Sequence, residues 1–275
     1  MRKHIATLAA ALVTLPLSGG LAHAAGAGGP VTDIDFTFEG PFGTFDQYQL
    51  QRGFQVYHQI CAGCHGMKFV SFRELGNENG PNMPEEQIKA IAAEYQVLDT
   101  GPDAMLGDTR PGVPADKFPA NDMMGAPDFS LIAKARAGFH GPYGTGLSQL
   151  FNGMGGPEYI YSLLVGYNGK DKEVGSAYLY GNDIYPGGYI NMAPPLYGDD
   201  VVYEDYDPDD SYTPPEATLE QQAEDVAAFL MWAAEPKMVE RKEAGFRNLV
   251  WLIILAVLLY FTNKKIWAPV KRGDV

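Results

Sequence analysis

Apolar residues recur at helical spacing in several separate stretches of the chain. Leu50, Phe54, Tyr57 and Cys61 fall on one face, and Thr44-x-x-Gln47 ahead of them fits a capping box, so a helix is predicted from near Thr44. A second helix is predicted from Pro84 through Ile88, Ile91, Ala92 and Tyr95. Asp128 fits an N-cap for a helix carrying Leu131, Ile132 and Ala135, and Pro157 fits the opening of another through Ile160, Leu163 and Leu164. Thr218-x-x-Gln221 is a second capping box. It starts a helix through Val226, Phe229, Leu230 and Ala233 that Pro236 is expected to kink on its way into the last apolar stretch. Residues 25–45, 99–127 and 138–156 read as loops, the last with a short apolar piece at Leu147–Phe151, and 167–216 show no sustained helical pattern. The fold class predicted is mainly α, with long loops and one C-terminal transmembrane helix.

Two apolar segments bracket that domain. Arg2 and Lys3, the apolar run Ile5–Leu17 and Ala22-His23-Ala24 have the order of a secretory signal, so residues 1–24 are expected to be cleaved after export. Asn248–Asn263 is free of charge, and Arg247 and Lys264 flank it, giving an expected span of 247–264. Trp251, Tyr260 and Trp267 suit the interfaces, and Lys264, Lys265, Lys271 and Arg272 make a basic tail that stays in the cytoplasm. The domain boundaries expected are 1–24 signal, 25–236 exported domain and 237–275 anchor.

Charge narrows the partners. With 20 basic and 34 acidic residues the net charge is −14, which argues against nucleic acid and for basic partners. Asp199, Asp200, Glu204, Asp205, Asp207, Asp209 and Asp210 crowd together, with no Lys or Arg between Lys172 and Lys237.

The only two cysteines stand in Cys61-Ala62-Gly63-Cys64-His65. Two thiols at that spacing add across the vinyl groups of one haem, and the adjacent imidazole then lies under the iron. A zinc site lacks a second ligand pair, and a thioredoxin-like redox pair needs a strand-to-helix setting where the pattern shows a helix leading in. The sixth ligand must come from elsewhere. His58 shares the approaching helix, and His140 sits in a Gly-rich loop. Met67 is too near His65, and Met231 and Met238 lie on the C-terminal helix. Met192, in Asn191-Met192-Ala193-Pro194-Pro195-Leu196, is best placed because two prolines stiffen its loop. A thioether ligand favours Fe(II) and electron transfer, whereas a haem enzyme such as a peroxidase would need an open or His-ligated iron.

The chain resembles cytochrome c1, the haem subunit of bacterial cytochrome bc1 (ubiquinol–cytochrome c oxidoreductase) complexes. The likeness rests on Phe38-Glu39-Gly40 to Phe45-Asp46, Arg52–Tyr57, Cys61–Phe69, Ala126–Ser130, Lys134-Ala135-Arg136, Gly156–Tyr159, Met192–Leu196 and Ala228–Pro236. The resemblance implies one covalent haem c on Cys61 and Cys64, axial ligands His65 and Met192, and Asn121 and Arg136 near the haem propionates. It implies an electron-transfer subunit, not a catalyst alone, that takes an electron from a Rieske iron–sulfur protein and passes it to a cytochrome c. Cytochrome b would be the membrane partner, and the haem domain would lie in the periplasm on the bacterial inner membrane. The alternative is a stand-alone membrane-tethered shuttle. Some bacterial members carry a second cysteine pair before the Met ligand, and this chain lacks it, so the sequence leaves open how 167–190 is held.

Overall fold

The computed structural model describes residues 29–121, 123–136, 147–203 and 212–273. The signal segment, His140 and the acidic residues Glu204, Asp205, Asp207, Asp209 and Asp210 lie outside the described residues. The first apolar face becomes helix α1 (Gln47–Gln59), with Leu50, Phe54, Val56 and Tyr57 buried. Its cap is Asp46 and not Thr44: the Asp46 carboxylate accepts from the Gln49 amide at 2.9 Å. A carboxylate there meets both the free amides and the positive end of the helix. The Thr44 amide instead donates to Thr37 O at 3.1 Å and closes the preceding turn. Helix α2 (Glu85–Glu94) follows Pro84 as expected and buries Ile88, Ile91 and Ala92.

Part of the predicted 99–127 loop is paired. Strand β1 (Gln96–Leu98) runs antiparallel to β2 (Thr109–Pro111), with Val97 opposite Arg110. Helix α3 is a single turn, Ile132–Ala135, and Asp128 does not cap it. Helices α4 (Leu147–Asn152) and α5 (Gly156–Val165) follow, the latter with Pro157 in its first turn.

Helix α6 (Leu219–Ala234) is capped by Thr218, whose hydroxyl accepts from the Gln221 amide at 3.2 Å, as its box predicts. It forms the spine of the core, with Phe229 and Trp232 fully buried and Phe229 against Phe54 and Tyr57. Where α1 crosses α6 the backbones nearly touch, since a Cβ on Gly53 would lie 2.0 Å from Asp225 O. Beside that crossing Arg52 makes a two-pronged pair with Asp225 at 2.7 and 2.8 Å, both side chains buried. Removing either partner would strand a charge, which typically costs about 3–5 kcal/mol.

The chain breaks at Pro236 where a kink was expected. Proline excludes the helical region for the residue before it, and Glu235 sits at φ −148°, ψ 69°. A separate helix α7 (Met238–Arg272) then starts, returning Met238 and Val239 to the core. Beyond them its apolar residues face outward, over a window of mean hydropathy 1.9. At 1.5 Å per residue 35 residues reach roughly 50 Å, more than the roughly 30 Å of a bilayer core. This helix is long and apolar enough to cross a membrane, and the expected span 247–264 lies within it.

The region 167–190 is braced by a small antiparallel sheet of β3 (Lys172–Val174), β4 (Ala177–Gly181) and β5 (Tyr189–Ile190) in the order β3-β4-β5. The Lys172 ammonium stands 3.5 Å from the centre of the Tyr189 ring.

One buried pair makes a pH prediction. Glu158 on α5 is fully buried beside Glu39, and among the described residues Glu39 Oε1 and both Glu158 oxygens lack a donor. Burial and the neighbouring Glu39 push Glu158 up to about 9, and burial raises Glu39 as well. The folded chain therefore keeps a proton that the unfolded chain gives up above the ordinary carboxylate range. Stability should fall as pH rises from there to about 9, with a slope of at most about 1.4 kcal/mol per pH unit for one proton. Melting of the detergent-solubilised protein at neutral and alkaline pH checks this. Glu158→Gln should flatten the slope, and an unchanged slope would locate the effect elsewhere.

Candidate haem site

Helix α1 runs directly into the cysteines. Cys61–Gly63 form a 3₁₀ turn, and the amides of Cys64 and His65 both donate to Cys61 O, at 3.1 and 2.9 Å. Both thiols and the imidazole thus leave from one closed turn, Cys61 half-buried against the core and Cys64 exposed. Burial, and then the nearby Cys64, pushes the Cys61 thiol up to about 12. A redox pair needs the opposite, a thiol made acidic at the start of a helix. Here the helix ends at the cysteines.

His65 is buried and gripped from several sides. Its Nδ1 lies 2.8 Å from the Pro127 carbonyl. A carbonyl only accepts, so Nδ1 carries the proton and the lone pair stands on Nε2, the form in which imidazole binds a metal. Burial holds its pKa below the usual histidine value, against the opposing pull of the Pro127 carbonyl. The ring stacks on Phe129 with centroids 3.9 Å apart at 15°, and the Tyr57 hydroxyl donates to His65 O at 3.2 Å.

The strip 127–130 that supplies Pro127 and Phe129 is fastened alongside 66–69. Phe129 N donates to Gly66 O at 2.8 Å, and Phe69 N to Ser130 Oγ at 3.0 Å. Asp128 accepts from Lys68 N and Ser130 N, which explains why it is not free to cap α3. A Cβ on Gly66 would lie 2.3 Å from Asn121 N, so the chain at 119–121 crosses directly over the turn.

The other expected residues fall as follows. The Asn121 amide donates to Gly63 O at 2.9 Å, and its Oδ1 accepts from Met123 N at 3.1 Å, so it braces the cysteine turn from outside. Arg136 is exposed at the end of α3, close enough to act electrostatically on Tyr159. Met192 is half-buried just past β5, its carbonyl accepting from the Tyr167 hydroxyl at 3.0 Å. The structure thus joins Cys61, Cys64, His65 and Asn121 by hydrogen bonds or the shared turn. Among the described residues no hydrogen bond or ion pair ties the Met192 or Arg136 side chain to them.

The competing ligands are otherwise engaged. His58 spends both ring nitrogens, on the Tyr95 hydroxyl at 2.8 Å and on Glu94 at 2.9 Å. Met67, Met231 and Met238 are buried in the hydrophobic core. No role beside the haem follows from sequence for Pro127, Phe129 or Tyr167, because each meets its partner across tens of residues. Two thiols on one turn, and an imidazole whose Nε2 has no partner among the described residues, are the groups that a covalently attached haem takes.

The sequence profile of the Cytochrome C1 family matches residues 36–270. Cytochrome c1 of Cereibacter sphaeroides is 49% identical over 96% of this chain and 96% of its own length. Cytochrome c1 of a Rhodobacter capsulatus strain is 44% identical over 96% and 97%. A protein named cytochrome b/c1 from Bradyrhizobium diazoefficiens is 40% identical over 85% of this chain, which spans 35% of that longer protein. With a helix-led cysteine turn, a locked imidazole and these likenesses, the chain belongs to the cytochrome C1 family, whose members carry one covalently bound haem c.

Proposed function

We propose that this haem electron-transfer subunit of a bc1 complex takes its electron from a Rieske iron–sulfur protein and gives it to a basic cytochrome c. In this reading cytochrome b is its neighbour in the membrane, and the haem domain faces the periplasm of a bacterial inner membrane. The observation that carries it is His65, buried, in one tautomer and with no partner on Nε2 among the described residues. When bound, the haem supplies a one-electron iron couple. Cys61 and Cys64 would hold it by thioethers, and His65 Nε2 and the Met192 sulfur would ligate its iron. Asn121 and Arg136 stand for the propionates, Arg136 with an exposed guanidinium suited to a carboxylate. An iron that took both ligands would suit electron transfer and disfavour peroxide chemistry. A neighbouring cytochrome b draws support from the relative whose name joins b and c1 in one chain.

The acceptor follows from charge. A net charge of −14, with Asp199 and Asp200 exposed just after the Met192 loop, steers a basic partner. The second-order rate of electron transfer to a basic cytochrome c should drop by roughly tenfold or more from low to high salt. Changing Asp205, Asp207, Asp209 and Asp210 together to Asn should lower the rate and flatten its salt slope. A rate indifferent to salt in the parent would overturn the proposed acceptor.

A further inference from the structure

The strand that leads into Met192 is short. β5 has two residues, paired as Tyr180 with Ile190 and Gly181 with Tyr189. Cys61 and Cys64 are the only cysteines, so no disulfide braces the segment. A ligand loop held only by so small a ladder would open readily, since local opening needs little free energy where few contacts are lost.

The C-terminal end of α5 supplies what the strand lacks. Asn182, fully buried, donates from its side chain to Leu163 O at 2.8 Å and accepts from the amides of Ile184 and Tyr185, both at 3.0 Å. Asp183 N donates to Gly166 O at 2.9 Å, and Asn168 N to Gly181 O at 3.1 Å. Tyr167, directly after the Gly166 cap, forms a backbone bridge with Asn182. Its side chain then reaches past the sheet, where the hydroxyl lies 3.0 Å from Met192 O and 3.5 Å from Ala193 O. On the far side of the two prolines Leu196 is buried in the core. The Met192 backbone is therefore tied to the end of α5 on one side and to the core on the other.

We propose that Tyr167 is a positioning residue for the sixth iron ligand, its hydroxyl holding the Met192 carbonyl so that the thioether stays in place without a disulfide. The inference rests on Met192 being that ligand. The contact is one neutral hydrogen bond, and losing it should raise the open population of the loop about fivefold.

The test uses Tyr167→Phe in the full-length, haem-loaded protein, which removes one oxygen and keeps the ring. The Fe(III)–sulfur charge-transfer band of the oxidised form should weaken and vanish at lower temperature or lower alkaline pH than in the parent. The fraction of reduced haem that binds carbon monoxide should rise about fivefold. Tyr178→Phe, whose hydroxyl donates to Asp171, is the control and should match the parent. If Met192→Leu abolishes the band while Tyr167→Phe keeps the parent's band, potential and inertness to carbon monoxide, the role of Tyr167 is overturned and the ligand stands. If Met192→Leu keeps the band, the ligand assignment fails and this inference with it.

Discussion

Met192→Leu should lower the haem midpoint potential and let the reduced iron bind carbon monoxide, with the domain still folded. The side chain is half-buried at the end of a strand, not part of the core, so a leucine of similar volume should cost less than about 1.5 kcal/mol of stability. With Met192 as the proposed ligand, what changes is the iron's coordination. A thioether stabilises Fe(II), and axial ligands shift haem potentials over roughly 0.8 V, so a fall on the order of 0.2 V is expected. Redox titration and carbon monoxide difference spectra check this together. An unaltered potential with no carbon monoxide binding would pass the role to another residue. His58 is a poor heir, with both ring nitrogens already bonded.

The double change Cys61→Ala and Cys64→Ala has a larger effect, because it removes the covalent attachment altogether. The turn itself is closed by backbone bonds to Cys61 O and by the Asn121 amide, neither of which needs a thiol. His65 would keep its place, and haem should still associate but leave with acidified acetone. Each single change should leave one thioether and a shifted spectrum of the reduced haem. Cys64→Ala should disturb stability less than Cys61→Ala, since Cys64 is exposed and Cys61 packs against the core. Haem stripped by acidified acetone from the unaltered protein would refute covalent attachment.

Much of this was legible from residues alone where the signal is local. The faces of α1, α2 and α6 follow from apolar spacing, and the Thr218 cap from its own box. Local signals misled where two residues competed for one role. Asp46 outbids Thr44 because it stands nearer the helix and carries a charge. Asp128 fits an N-cap but is spent on the 66–69 strip, which only the tertiary crossing brings near. At Pro236 a kink and a break look alike in sequence, and the extended Glu235 decides for the break, held by Lys134 and Arg241 across the gap. The strands at 172–190 are two to five residues long, too short to show alternation above noise. The cysteine turn was plain, yet its supports were not. Pro127, Phe129 and Tyr167 reach their partners across the fold, and no spacing rule connects them.

Membership of a quinol-oxidising complex can be read from what purifies with the chain. Membranes are extracted in mild detergent, the protein is purified through its own chain, and the product is mixed rapidly with quinol while c-type and b-type haem absorbance is followed. A b-type haem and an iron–sulfur subunit are expected in the purified material, with the c-type haem reduced by quinol within a turnover. A chain that purifies alone, carries no b-type haem alongside it and stays oxidised in the presence of quinol would contradict the account and leave a free membrane-tethered shuttle.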